Sequence, residues 1–291
     1  MNINGCTRTC GLIGNPVEHT MSPAIHNTLA EAMGQNLVYV PFHVQTGLVR
    51  EAVEGAYALN LLGCNVTVPY KSQVIPYLKE IDPLAERIGA VNTLVRVEGG
   101  FKGYNTDMPG LARAMEADGV KIAGEKVLIL GAGGVARAVA FMLADAASEI
   151  LIMNRTVEKA RKIAEEVNAC AGRELAGALS VSDYGKLSKT DPYLAIQATN
   201  VGMYPRVDEA VMEDRDFYER IHTGYDLIFN PVRTRFMELT TEAGGRAFNG
   251  LKMLLYQGVI AYELWTGVRV TKDMEEQAFR AMKQESTGIL L

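Results

Sequence analysis

Cysteine is scarce in this chain of 291 residues, and the scarcity excludes two classes. Four cysteines, Cys6, Cys10, Cys64 and Cys170, are too few and too scattered for a disulfide framework. Cys6 and Cys10 find no second Cys or His pair that would complete a metal site. Histidine is equally sparse. His19, His26, His43 and His222 form no H-x-x-x-H pattern, so no zinc-dependent dehydrogenase site and no bound metal are expected. Positive charge is not in excess: 29 Lys and Arg against 34 Asp and Glu leave a net charge of -5. That argues against nucleic acid or an anionic membrane as the main ligand. There is no run of roughly 18 or more uncharged apolar residues, so no transmembrane helix is expected. The opening MNINGCTRTCGLIGNP lacks the basic and apolar regions of a signal peptide, which points to the cytoplasm. No Gly/Ser-rich linker and no internal repeat appear. What is present, 48% apolar and 22% charged residues, is ordinary for a soluble protein. The length suggests two domains.

The most informative stretch is KVLILGAGGVARAV, residues 126–139. A buried apolar strand runs into a glycine turn and then into a helix-forming segment, the order that a dinucleotide pyrophosphate requires. Gly131 allows the tight turn, and Gly133 lets backbone N–H groups approach phosphate. The helix N-terminus adds partial positive charge. The candidate loop is Gly131, Ala132, Gly133, Gly134, Val135 and Ala136, with alanine as the third small residue. About 125 residues precede it, enough for a separate domain.

Periodicity and punctuation predict alternating strands and helices. Strand 7–14 leads to a helix from Ser22 to Met33, with Ser22 as N-cap and Pro23 in the first turn. Then come strand 37–44, a helix near Leu48–Leu59, strand 63–68, a helix over 71–81 despite Pro76, and a hairpin over 91–104 turning at Gly99-Gly100. Residues 107–119 read as a linking helix capped by Asp107. The glycine-loop region continues as strand 126–130, helix 134–146, strand 149–153, helix 156–168, then strands 193–199 and 224–230. The chain is helical from Leu251 to the end. The expected fold is therefore α/β. A substrate-binding domain over 1–106 is completed by helices of 250–291, and a Rossmann-type domain spans 107–249, with a cleft separating the two.

An NAD site usually carries Asp or Glu about 20 residues beyond the glycines. Here the second strand ends in Asn154, Arg155 and Thr156, with Lys159 one turn further. Arg155 can stack on adenine and bond a 2′-phosphate, and Lys159 adds a second positive charge. The pattern points to NADP. Ahead of the loop, polar groups gather at strand ends. Thr20 and Ser22 open a helix, a natural carboxylate site. Asn65 and Thr67 share a strand face, with Lys71 just beyond; Asn92, Asn105 and Asp107 follow.

Together these segments resemble the shikimate dehydrogenase family. The matching stretches are GNPVEHTMSPAIHN, NVTVPYK, GAVNTL, GYNTD, GAGGVARA, NRT and NGLKMLLYQGVIAYELWTG, in the family's order and over nearly the whole chain. The resemblance implies reversible NADPH-dependent reduction of 3-dehydroshikimate to shikimate, on the route to chorismate and the aromatic amino acids. It implies that Thr20 and Ser22 bind the carboxylate. Asn65, Thr67, Asn92 and Asp107 would hold ring hydroxyls, Lys71 and Asp107 would form the catalytic pair, and Gln257 would contact substrate. Thr199, Met203 and Gly250 join the cofactor set, Met203 near the nicotinamide. The chain also lacks a Tyr-x-x-x-Lys pair, so Lys71 is the best remaining proton donor.

Three positions depart from the family pattern. Thr20 stands for the more usual Ser, Gln197 for Asn, and Phe229 for a tyrosine near the substrate carboxylate. Tyr225, four residues earlier, is expected on the same strand face as a partial replacement. Phe229 leaves open a quinate/shikimate enzyme of broader choice, and a non-catalytic NADP-binding paralogue is the reading from another class. A monomer or homodimer acting on small molecules, with neither nucleic acid nor membrane as partner, completes the expectation.

Overall fold

A computed structural model describes residues 3–289 of the chain. The chain divides into two compact units, Met1–Leu111 with Leu254–Leu291, and Ala112–Met253. The two divisions fall inside helices α4 (Asp107–Ala117) and α9 (Leu251–Thr266). Among the described residues no helix is long and apolar enough to cross a membrane.

The first unit is built on a mixed six-stranded sheet. Its strands are β1 (Arg8–Gly14), β2 (Leu37–His43), β3 (Gly63–Val66), β4 (Glu80–Ile81), β5 (Thr93–Val97) and β6 (Gly100–Tyr104), in the order β2-β1-β3-β5-β6-β4. β1 runs parallel to both β2 and β3, whereas β5 is antiparallel to β3 and β6. Cys64 and Val66 face an apolar core with Val49, Val53 and Ala56 of α2 (Val49–Ala58) and Ala85 of α3 (Pro83–Ile88). The other face of β3 carries Gly63 and Asn65. A Cβ at Gly63 would stand 2.2 Å from Trp265 Nε1 of α9, so only glycine admits that indole. Asn65 meets His26 of α1 (Ser22–Ala32). α10 (Lys272–Ile289) packs against α1.

The second unit holds a parallel six-stranded sheet of β7 (Lys126–Leu130), β8 (Glu149–Asn154), β9 (Ala176–Ser180), β10 (Tyr193–Gln197), β11 (Ile221–Asp226) and β12 (Arg246–Phe248). Its order, β12-β11-β10-β7-β8-β9, is that of a doubly wound dinucleotide-binding sheet. Val127 to Leu130 are wholly buried, as expected for a central strand covered on both faces. Helices α5 (Gly134–Leu143), α6 (Val157–Ala171), α7 (Arg215–Tyr218) and α8 (Arg235–Glu242) complete it.

Several expectations need correction. Residues 71–81 do not form an α-helix. A single 3-10 turn covers Ile75–Tyr77, and Leu78 turns extended. Pro76 has no N–H to donate, and β6 captures the segment through Lys79 N–H to Phe101 O and the β4 pairing. The hairpin turns at Glu98-Gly99, because Val97 pairs with Gly100 and Gly99 takes φ 80°. Ser22 does not cap α1. It is the first helical residue, Met21 holds the cap position, and the Thr20 hydroxyl accepts the Ser22 N–H at 3.2 Å. Asp107 likewise lies inside the first turn of α4 and spends its carboxylate elsewhere. The last predicted strand is displaced to Ile221–Asp226, since the Asp226 carboxylate accepts Ile228 N–H at 2.9 Å and turns the chain away. Phe229 therefore lies beyond the strand. Tyr225 is fully buried, stacks on Phe248 and gives its hydroxyl to Asp118, so it does not replace a hydroxyl at 229. α3 was not anticipated, although Asp82 caps it through Leu84 N–H, Pro83 opens it and Gly89 closes it at φ 74°. β9, α7, α8 and β12 were also unanticipated.

Candidate functional site

In the first unit the polar segments meet because of sheet topology. Strand order reverses at β1, between β2 and β3, and ligands of open α/β sheets bind outside the carboxyl ends of strands at such a point. The segment carrying Thr20 and Ser22 leaves the carboxyl end of β1. Thr67 and Lys71 follow β3, paired with β1 at Ile13 and Val66. β5 is antiparallel, so its first residues, with Asn92 just ahead, lie at the same edge; β6 ends there too, and Asp107 follows. Two backbone bonds join the loops, Asn15 N–H to Val68 O at 3.1 Å and Thr67 N–H to Ile13 O at 2.9 Å.

Lys71 Nζ lies 2.7 Å from Asp107 Oδ2, and Asn92 Nδ2 donates to Asp107 Oδ1 at 2.8 Å. The pair is partly exposed, with 33% of the Lys71 side chain and 20% of the Asp107 side chain accessible. Asn92 Oδ1 accepts the Thr106 N–H at 2.7 Å, which fixes which end of the amide faces Asp107. Asn65 is fully engaged by protein partners. Its Oδ1 accepts from Tyr39 at 2.9 Å and contacts His26 Nε2 at 3.1 Å. Its Nδ2 donates to Asn92 O at 3.3 Å and Thr93 Oγ1 at 3.1 Å. Burial pushes His26 down to about 3, so it is a neutral ring, stacked on Tyr39 at 4.2 Å. Asn105 instead holds the loop, donating to Ala90 O at 3.0 Å. Gln257 bonds Leu254 O of its own helix at 2.8 Å. Its backbone lies against Gly110, where a Cβ would stand 2.7 Å from Gln257 N. That seats Gln257 beside the turn of α4 that follows Asp107.

The second unit gathers its residues at its own switch point, between β7 and β10. Gly131 takes φ 113°, and a Cβ there would stand 2.8 Å from Thr199 Cγ2, so glycine is required on both counts. Gly133 occupies the cap position of α5 without any side-chain cap, and Gly133, Gly134 and Val135 are exposed. The first N–H groups of α5 thus lack intrahelical acceptors and present partial positive charge, which fits a pyrophosphate. Ala136 is wholly buried beneath them. β8 pairs with β7, and Gly131 N–H donates to Met153 O at 2.8 Å, so Asn154, Arg155 and Thr156 emerge beside the loop. Asn154 Nδ2 donates to Thr156 O at 2.9 Å. Thr156 sits at the cap position of α6 but makes no capping bond. Arg155 and Lys159 are exposed and, among the described residues, unpaired with any carboxylate. Two uncommitted cations at that strand end fit a 2′-phosphate.

Gln197 was singled out as a departure, and its role is now visible. It is buried at the end of β10, accepts Thr199 N–H at 2.6 Å and donates to Val201 O at 3.1 Å and Asp226 Oδ1 at 3.4 Å. It thereby braces the loop that carries Thr199 and the half-exposed Met203. Among the described residues no cation pairs with the buried Asp226, and burial pushes its carboxyl up to about 6. Gly250 packs on the same corner. A Cβ there would stand 2.3 Å from Leu227 O.

Sequence reasoning missed Thr93, Thr106, Tyr39 and His26. The two threonines had a visible signal, since each follows an asparagine in the quoted stretches at 92–93 and 105–106. His26 stood in the quoted stretch GNPVEHTMSPAIHN with no sign of its partner, and Tyr39 had no signal, because only tertiary packing brings the two to Asn65.

Three family models match the chain: the shikimate dehydrogenase substrate binding domain over residues 12–94, shikimate / quinate 5-dehydrogenase over 112–191, and the shikimate 5'-dehydrogenase C-terminal domain over 250–281. The shikimate dehydrogenase (NADP(+)) of Carboxydothermus hydrogenoformans is 41% identical over 268 residues, covering 92% of this chain and 95% of that protein. A crystal structure of a shikimate dehydrogenase in complex with NADP+ superimposes with TM-score 0.87 at 37% identity, covering 98% of this chain and 97% of the other. The shikimate 5-dehydrogenase of Listeria monocytogenes, in complex with shikimate and NAD, superimposes with TM-score 0.86 at 34% identity over 95% of this chain and 97% of that one. The chain, with its Lys71–Asp107 pair on one sheet and its glycine loop on the other, belongs to the shikimate dehydrogenase family.

Proposed function

We propose that this protein catalyses the reversible NADP-linked interconversion of 3-dehydroshikimate and shikimate. The observation that carries the reading is the Lys71–Asp107 pair at 2.7 Å, oriented by Asn92. Bound NADPH would supply the hydride for reduction, and NADP+ would accept it in the reverse direction. Reducing a ketone leaves negative charge on its oxygen and calls for a proton there. Lys71 carries protons at Nζ and stabilises that oxygen; Asp107 anchors the lysine and accepts from a ring hydroxyl. Thr20 and Ser22 hold the carboxylate, the added methyl of Thr20 leaving its hydroxyl in place, and Thr67 and Gln257 border the ring. Asn65 contributes by holding Asn92 rather than through a free donor of its own.

For the cofactor, the amides of residues 131–136 bind the pyrophosphate, and Asn154, Arg155, Thr156 and Lys159 receive the adenosine 2′-phosphate. Thr199, Met203 and Gly250 serve the nicotinamide end. The first unit, with the C-terminal helices, is read as the substrate domain, and the second as the NADP domain. The enzyme is read as a cytoplasmic monomer or homodimer; its four free cysteines are compatible with a reducing compartment.

The test follows NADPH absorbance with shikimate and quinate, each with NADP+ and NAD+. Turnover of shikimate with NADP+ is expected. No rate with any pair would overturn the reading in favour of a non-catalytic paralogue, and a faster rate on quinate would reassign the substrate. Light scattering fixes the oligomeric state.

A further inference from the structure

Beneath the Lys71–Asp107 pair runs a continuous chain of buried polar groups, most of which the mechanism does not use. Its directions can be worked out from fixed groups. Asn92 backbone O accepts one Asn65 Nδ2 hydrogen, so Asn65 Oδ1 must face Tyr39 and His26. The His26 nitrogen at Asn65 Oδ1 is then the protonated one, Nε2–H, and Nδ1 is the buried atom left without a partner. The second Asn65 Nδ2 hydrogen goes to Thr93 Oγ1 at 3.1 Å. Having accepted there, Thr93 has its own proton for Asn92 Oδ1 or Thr106 Oγ1, each at 3.1 Å, and Thr106 Oγ1 in turn reaches Asn92 Oδ1 at 3.1 Å. At least one hydroxyl proton therefore lands on Asn92 Oδ1 in either arrangement. Asn92 Nδ2 is left to donate to Asp107. The chain runs one way, from His26 and Tyr39 through Asn65, Thr93 and Asn92 to the carboxylate that holds Lys71.

We infer that Thr93 is a positioning residue for the reaction: its wholly buried hydroxyl couples Asn65 to Asn92 and, with the Thr106 N–H at 2.7 Å and the Thr106 hydroxyl at 3.1 Å, sets the position from which the Asn92 amide donates to Asp107. The inference rests on the dehydrogenase reading of the same site. An amide's two ends are nearly alike in shape, so packing alone does not orient Asn92; the donors around its oxygen do. The Thr106 N–H fixes which end of the amide faces Asp107; losing the Thr93 hydroxyl leaves Asn65 Nδ2 short of an acceptor and Asn92 Oδ1 short of a donor, so Asn92 Nδ2 is held less firmly against Asp107.

Thr93→Val removes the hydroxyl at near-constant shape, and Thr93→Ser keeps it. In Thr93→Val the kcat for shikimate oxidation is expected to fall about tenfold, a loss on the scale of one buried hydrogen bond. The Kd for NADPH by fluorescence titration should stay within about twofold, and Thr93→Ser should recover most of the rate. A purely structural role would lower both variants together or move NADPH binding as well. Tyr39→Phe removes a donor from the far end of the chain and is expected to lower kcat about threefold, so the inference stays open to test if Thr93→Val does not fold. A folded Thr93→Val with wild-type kcat would overturn the inference, as would a Thr93→Ser that loses as much, or, where Thr93→Val is unfolded, an unchanged Tyr39→Phe. Wild-type protein inert towards shikimate would instead sink the functional reading beneath it.

Discussion

The first unit gathers polar side chains and the second exposed backbone amides, yet both do so outside the carboxyl ends of strands where strand order reverses. In the first unit, Lys71, Asp107, Asn92 and Asn65 are held by one another and by buried hydroxyls, so each side chain's orientation depends on its neighbours. In the second, exposed amides at Gly133 and Gly134 face outward because no side chain covers them, and glycine at 131 lets two loops touch. A site made of side chains is sensitive to losing one polar atom. A site made of backbone is sensitive to gaining one carbon atom.

The largest expected effect is on the side-chain site. Lys71→Ala should lower kcat about a thousandfold, within the range for removing a general acid, with circular dichroism unchanged. Near-normal turnover would dissolve the contrast between the units.

A buried carboxylate of the second unit gives the next effect. Burial raises Asp226 to about 6, above the ordinary carboxylate value near 3.9. The native state then binds this proton more tightly than the unfolded chain does. Its contribution to stability is complete below about pH 4 and is lost as pH rises through about 6, amounting to about 3 kcal/mol. Asp226→Asn should remove that dependence. Urea unfolding of the two proteins across this window should show the wild type losing ground to the variant as pH rises, and parallel curves would refute it.

Arg155→Asp should weaken NADP+ about a hundredfold while NAD+ changes only a few-fold, because only the former carries the 2′-phosphate. Equal losses by titration would remove Arg155 from phosphate recognition. Gly131→Ala combines an unfavourable φ with a 2.8 Å approach to Thr199, and should lower stability by about 2 kcal/mol as well as NADP affinity. An unchanged melting temperature would show that the turn tolerates a side chain. The smallest change tests the substrate side: Phe229→Tyr should lower KM for shikimate several-fold, on the scale of a neutral hydrogen bond of about 1 kcal/mol. A KM that does not move would place residue 229 outside substrate binding.

Legibility differed between the units for the same reason. The glycine loop is contiguous: strand, turn and helix lie within 126–139, and local rules suffice to read them. Arg155 and Lys159 were also legible, being one strand away at a fixed offset. In the first unit, resemblance picked out Lys71, Asn92 and Asp107, but their mutual bonds could not be read from spacing. Ser22 and Asp107 were misread as caps because a local hydrogen bond is the default for such residues; Ser22 lies one residue inside α1, and the Asp107 carboxylate is taken by Lys71 and Asn92. The helix expected over 71–81 failed similarly, Pro76 weakening it and β6 offering backbone partners instead.

By itself the sequence determined where the chain must bury apolar runs, where it must turn, and which loop can approach a phosphate, since these depend on neighbours a few residues apart. Only the tertiary structure decided that Asn65 spends its whole amide on protein partners, that Thr93 lies between two asparagines, and that Asp226 is buried. Those outcomes depend on which polar atoms meet across strands, and hydrogen bonds over distances of about 3 Å discriminate among partners that sequence separation does not distinguish.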